Sequence, residues 1–224
     1  MKKRPKFDMK KSLYAENSVY ISKLLDPYTA HVAKWMYNLG FSANGTTLLT
    51  FFLGMAGIAS LLIWRTYTGL IAAAILITLR NIGDTVDGKI ARGSNSFSAL
   101  GGFSDLVSDW IIFHAAFFVA IGILTNNIWL GFLCVTGYMS REFTRRKFTK
   151  NYGKKITETK EAKKMPMIVS LVRKYDLASA FWIIPFILLI NPLWIIYAIA
   201  IIEYGLLIGE LGMDFLLLYK KGKN

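Results

Sequence analysis

The chain has 224 residues, 54% of them hydrophobic and 14% aromatic, with 27 Lys and Arg against 14 Asp and Glu. Such a composition leaves a very apolar globule or a membrane protein, and segment length selects the membrane, because several stretches reach the roughly 20 apolar residues that a span requires. The net charge of +13 does not point to nucleic acid, since the aromatics lie inside apolar runs and no basic recognition fold is readable; a phosphate-rich membrane face accounts for it.

Residues 1–17 read as a basic, unstructured cytosolic tail, because Lys2, Lys3, Arg4, Lys6, Lys10 and Lys11 fall without periodicity. Anionic lipid is its expected partner. No cleavable leader is expected, since mixed sequence and not a short apolar core follows the basic start. Residues 18–40 place Ile21, Leu25, Tyr28, Val32, Met36 and Leu39 at helical spacing, with Lys23, Asp26, Thr29 and Lys34 off that stripe. This predicts an amphipathic helix lying in the membrane interface, kinked or divided at Pro27.

Residues 41–224 are predicted to form one membrane domain of six transmembrane helices, at about 46–64, 69–91, 99–124, 128–147, 167–190 and 193–217. The fold class is therefore all-α and integral to the membrane. The short turns Asn126-Asn127 and Asn191-Pro192 make hairpins of spans three and four and of spans five and six. With the N-terminus in the cytosol, the Lys and Arg of the tail, of 141–174 and of 220–223 all fall on one side. Among the candidate outer loops only Arg65 is basic, and Arg80 lies within span two. A multi-pass protein of the cell membrane follows, with both termini cytoplasmic.

Between spans two and three runs DxxDGxxAR, eight residues, then GxxxDxxxD: Asp84, Asp87, Gly88, Ala91, Arg92, Gly101, Asp105 and Asp109. Residues three or four apart share a helix face, so Asp84 and Asp87 pair near the end of one helix and Asp105 and Asp109 near the start of the next. Four carboxylates are thus expected to converge, and they would repel unless something positive sits among them. A divalent cation is the obvious candidate, because hard cations take oxygen ligands and keep positions for substrate phosphates. Gly88 and Gly101 lack a Cβ that would block a nucleotide or a facing helix, and Arg92 offers a forked donor to a phosphate. About 15 apolar residues precede Asp84 and as many follow Asp109, roughly 22 Å of helix each. The carboxylates therefore lie a little inside the cytosolic boundary, where buried charge signals function.

These residues resemble the signature of the CDP-alcohol phosphotransferases, every fixed position of which is present. The resemblance extends to Asn44 and Thr47, which look like the family's PNxxT, with Ala43 in place of the proline. It implies transfer of a substituted phosphate group from a CDP-alcohol to an acceptor hydroxyl, with release of CMP, in phospholipid biosynthesis. It implies further that Asp84, Asp87 and Asp105 bind Mg²⁺ or Mn²⁺ and that Asp109 is the general base, with Asp109 also touching an ion. Asp84, Gly88, Ala91, Arg92, Gly101 and Asp105 would contact the nucleotide, and the family fold implies a homodimer. Two other readings stay open, an aspartate-rich intramembrane prenyltransferase and a divalent-cation transporter with the carboxylates as transit site. The first lacks the Gly-xx-Ala-Arg insertion, and the second needs no CMP.

Span four ends in Arg141, Glu142, Arg145, Arg146 and Lys147. Most of this charge is a topology signal, but Arg141 and Arg145, one turn apart, are expected to reach the pocket and hold the phosphate of a small polar acceptor. The donor is then CDP-diacylglycerol or its ether counterpart; the alternative is diacylglycerol as acceptor with a CDP-linked head group. In span six Glu203, Glu210 and Asp214 share one face, and Glu203 and Glu210 are expected to pair with Arg80 or Arg141. Gly205 and Gly209, opposite, read as a helix-packing pair. His114 reads as a hydrogen-bonded structural histidine, and His31 with the single Cys134 gives neither a zinc site nor a disulfide.

Overall fold

The computed structural model describes residues 5–13, 20–157 and 180–221, and among these every regular element is helical. In chain order they are α1 (Met9–Ser12), α2 (Tyr20–Asn38), α3 (Ala43–Ile63), α4 (Tyr67–Ser94), α5 (Ala99–Leu106), a π-helical segment (Val107–Phe113), α6 (His114–Leu124), α7 (Ile128–Thr157), α8 (Ile184–Ile190) and α9 (Pro192–Lys221). Four helices are long and apolar enough to cross a membrane: Ala43–Ile63, Tyr67–Ser94, the continuous run Ala99–Leu124, and Pro192–Leu216. The predicted fourth span falls on α7, whose apolar stretch from Ile128 ends at Ser140, before Arg141 and the charges that follow. Of the predicted fifth span only 180–190 lies within the described residues.

Local chemistry sets the ends of these helices. Ser42 caps α3 by accepting from the Gly45 N–H, leaving one fewer orphan donor in the first turn. Asn95 ends α4 in the left-handed region at φ 53°, which asparagine tolerates better than most residues. Asn126, at φ 55°, makes the tight turn that lays α7 back against α6. Pro27 neither ends nor divides α2, which runs unbroken from Tyr20 to Asn38.

Two apolar clusters hold the helices together. The larger joins Phe113, Phe117, Phe118 and Phe181 to Ile184, Leu188, Ile195 and Ile196, so α3, α4, α6, α7, α8 and α9 share one core. The smaller gathers Phe7, Ala33, Tyr37, Ala43, Val86 and Ile90 beside the aspartates. The α2 stripe splits between its surroundings: Val32 and Met36 pack on that second cluster, whereas Tyr28 and Leu39 point outward with Leu24 and Trp35. Ala30 and Ala33 are fully buried, Ala33 in the cluster with Val86 and Ile90 of α4.

The expectation of an unstructured N-terminal tail is overturned for residues 5–13. Phe7 is buried against the Tyr37 ring, with centroids 5.5 Å apart, and the Asp8 N–H donates to the Gly93 carbonyl at 2.8 Å. Tyr37 Oη donates to the Pro5 carbonyl at 2.9 Å. An aromatic at position 7 gives this basic stretch an apolar anchor, which a count of its lysines does not register.

Candidate active site

The last turns of α4 carry Asp84, Asp87, Gly88, Ala91 and Arg92, and α5 with the π segment carries Gly101, Asp105 and Asp109. Between them Ser98 caps α5 through the Gly101 N–H at 2.9 Å, and the Ser94 and Ser96 hydroxyls share a 2.7 Å hydrogen bond. A short polar turn thus returns the chain so that Asp105 and Asp109 come beside Asp84.

Three of the four carboxylates meet. Oxygen atoms of Asp84, Asp105 and Asp109 all lie within 4.8 Å of one another. Asp87 stands to one side, buried, its Oδ2 accepting from Thr47 Oγ1 at 2.7 Å. The expected convergence of four is therefore three plus one. Asp109 owes its place to the π segment, in which the His114 N–H reaches back five residues to the Asp109 carbonyl. The wider turn changes its bearing relative to Asp105, and such segments recur at functional sites.

A cavity of about 190 Å³ opens beside the cluster, lined by Ala43, Asn44, Thr47, Asp87, Gly88, Ala91, Gly101 and Asp105 together with Ser96, Phe97, Ser98 and Gly102. Asn44 and Thr47 of α3 thus share a wall with the motif. Gly101 fits closely there, since a Cβ on it would fall 2.5 Å from Asn44 Oδ1 and the Asn44 side chain would have to turn away. Arg92 is not on that wall: its Nε donates to the Ser12 carbonyl at 3.4 Å, which ties α4 to the N-terminal segment. Lys89, within the same motif, is buried and paired with Asp26 of α2.

The residues present fit a divalent cation. The donor set is three hard carboxylate oxygens at close range, and Asp105 Oδ1 is buried with no hydrogen-bond partner among the described residues, a cost that a ligand would remove.

The residue that sequence reasoning missed is Arg80. Its Nη2 lies 3.4 Å from Asp84 Oδ1 and also pairs with Asp109 Oδ1, so a guanidinium bridges two of the three clustered carboxylates. The signal was available, because Arg80 stands four residues before Asp84 on the same helix, and an arginine within a span needs a counter-ion.

The basic end of α7 is placed differently from expectation. Arg141 is 2% exposed, and its guanidinium contacts Glu203 Oε2 at 3.3 Å and Glu210 Oε1 at 3.0 Å, so it locks α7 to α9 instead of facing the cavity. The expected pairing of the span-six glutamates is thus with Arg141. Arg145, half-exposed, lies 4.0 Å from Glu142. His114 is buried among Phe113, Tyr138 and Phe181, with its ring 4.7 Å from that of Phe181. Its Nδ1 has no partner among the described residues, so ring packing and not a hydrogen bond at that atom holds it. Gly205 and Gly209 meet nothing within 4 Å, so the helix they were expected to pack is not among the described elements.

Among comparisons with known proteins, the family model described as CDP-alcohol phosphatidyltransferase matches residues 41–208. No curated protein matches the chain. The matched segment begins two residues before α3 and contains the whole aspartate site.

Proposed function

The chain belongs to the CDP-alcohol phosphatidyltransferase family, and we propose that it transfers a phosphatidyl group from CDP-diacylglycerol or an ether analogue to the hydroxyl of a small polar acceptor, releasing CMP. The observation that carries this reading is the cluster of Asp84, Asp105 and Asp109, with oxygens within 4.8 Å, on the edge of a cavity walled by Gly88, Ala91 and Gly101. Small residues let a flat nucleotide approach the helix backbone, and the acidic edge sits where its pyrophosphate would arrive.

In the reaction the acceptor oxygen bonds to the phosphorus that carries the diacylglycerol, the phosphorus–oxygen bond to CMP breaks, and the acceptor's proton passes to Asp109. The clustered Asp84, Asp105 and Asp109 would hold Mg²⁺ or Mn²⁺, and Asp87, a ligand by the family resemblance, would join them through a carboxylate that Thr47 also holds; when bound, the cation would neutralise the pyrophosphate and the departing CMP. Asp109, the last aspartate of the motif, is the base that the family resemblance implies; it engages Arg80 through Oδ1, and Oδ2 would be its proton acceptor. Thr47 holds Asp87 in one orientation. Gly88, Ala91 and Gly101, with Asp84 and Asp105, would contact the nucleotide, and Arg92, though off the wall itself, has Nη1 3.3 Å from where a Cβ on Gly88 would lie and would supply positive charge to its phosphates from there.

A membrane setting for this chemistry draws support from the sidedness of the side chains. Trp64, Tyr67, Trp129 and Trp194 are all exposed and begin or end helices at the end of the molecule away from the motif, as an aromatic belt does at a membrane face. Among the described residues the Lys and Arg gather at the motif's end, Arg65 excepted, and we assign that end to the cytosol together with both termini. Leu24, Tyr28 and Trp35 on the outward face of α2 suit a helix resting at the interface, with the six-span domain following from residue 41. A homodimer is proposed as well, and the open glycine face of α9 leaves room for a second chain.

With Arg141 committed to the glutamates, acceptor binding falls chiefly to Arg145. The acceptor class is tested in proteoliposomes containing CDP-diacylglycerol and offered glycerol phosphate, inositol phosphate or serine. The expected outcome is a lipid product with one phosphorylated acceptor, whose KM rises about tenfold in Arg145→Ala, the loss of one charge-assisted contact. Turnover of diacylglycerol with a CDP-linked head group instead would contradict the acceptor assignment.

A further inference from the structure

Arg80 sits in a cage built for it. The side chain is 4% exposed, and its guanidinium carbon lies 4.3 Å from the centre of the Phe113 ring. Nη1 donates to Asn81 Oδ1 at 3.3 Å, and Asn81 is itself fixed by donating to the Phe181 carbonyl at 2.6 Å. From α3, Gly54 leaves the space: a Cβ there would fall 2.8 Å from the Phe113 ring and 3.2 Å from Arg80 Cγ. Nε has no partner among the described residues, so the group is held through its charge on the aspartates more than by a complete set of hydrogen bonds. Those aspartates come from two elements, Asp84 from α4 and Asp109 from the π segment.

We propose that Arg80 is a positioning residue of this site, a built-in cation that aims Asp109 and opposes the binding of a divalent cation to the same carboxylates. The inference rests on the reading of the cluster as a metal-dependent transferase site. An arginine stays protonated throughout the accessible pH range and presents a planar fork, so Nη2 can face Asp84 and Asp109 while Nη1 is anchored on Asn81, an aim that the single nitrogen of an ammonium cannot hold. Gripping Oδ1 of Asp109 fixes the direction of Oδ2. The fixed positive charge also lowers the negative charge that any incoming cation meets, so metal affinity is set by the difference between three carboxylates and one guanidinium.

Two variants separate charge from geometry. Arg80→Gln removes both; Arg80→Lys keeps the charge and loses the fork. Mn²⁺ binding is read by electron paramagnetic resonance on purified protein without substrates, and kcat is measured separately at saturating Mn²⁺ and substrates. Arg80→Gln is expected to bind Mn²⁺ about tenfold tighter or more while kcat falls about 10²-fold, the scale of a misaimed reacting group. Arg80→Lys is expected to keep Mn²⁺ affinity within about threefold of wild type, since the charge remains, and still to lose kcat. A structural role alone would not tighten metal binding. Unchanged or weaker Mn²⁺ binding in Arg80→Gln overturns the inference, as does wild-type kcat in Arg80→Lys, which decides the matter if Arg80→Gln fails to fold. Should the wild type bind no Mn²⁺, the metal-site reading falls and this inference with it; should it bind while both variants match it, only this inference falls.

Discussion

Asp105 and Asp87 belong to one motif, yet their carboxylates meet different neighbours. Asp105 joins Asp84 and Asp109, with one oxygen lacking a hydrogen-bond partner among the described residues, whereas Asp87 is satisfied by Thr47. Asp109 differs again, because it comes from the π segment and shares Arg80 with Asp84. If these placements express function, Asp84→Asn should abolish both Mn²⁺ binding and turnover. Asp109→Asn should retain CMP and most metal binding while kcat drops by about 10² or more, the usual contribution of a general base. Equilibrium CMP binding and kcat measured on both variants check this, and equal loss of CMP binding would make Asp109 a plain ligand. Helical spacing made the aspartate pairs legible in the sequence, because residues three or four apart must share a face. It could not show that Asp87 turns to Thr47, forty residues away, nor that a π turn re-aims Asp109.

Among the elements, α7 and α9 are joined by a buried ion triad. Arg141 and Glu203 are almost wholly enclosed, and Glu210 nearly so, so removing the cation strands two carboxylates in a setting where they cannot be hydrated. Arg141→Ala is therefore expected to lower stability by about 3 kcal/mol or more, read as a lower unfolding temperature in detergent. Arg141→Met combined with Glu203→Gln and Glu210→Gln should recover most of it. A wild-type Tm for Arg141→Ala would show that the triad adds nothing. The sequence showed that a charge at the end of α7 needed a role, and offered two; the choice between a substrate phosphate and the glutamates depended on how α9 packs, which no local pattern encodes. The N-terminal segment teaches the same lesson in reverse, since its lysines suggested solvent while Phe7, Asp8 and Pro5 tie it to α2 and α4.

At the scale of the whole molecule, the apolar core fills one end and the polar site the other. Phe113 belongs to both, packing on Phe117 and Phe181 while lying under Arg80, so the cluster rests directly on the aromatic core. That division follows from the sequence, in which long apolar runs flank one acidic motif, and four of the expected six spans appear as helices of sufficient length and apolarity. The other two are harder to read because α7 changes from apolar to basic midway and because much of the fifth lies outside the described residues. Phosphatidyl transfer at these carboxylates is proposed to need a divalent cation. The decisive measurement is CMP release from CDP-diacylglycerol in proteoliposomes offered glycerol phosphate, inositol phosphate and serine, with and without Mg²⁺, for the wild type and Asp105→Asn. CMP released with lipid product by the wild type only when Mg²⁺ is present, and by Asp105→Asn not at all, is the expected result; undiminished release after chelation, or from Asp105→Asn, would contradict it.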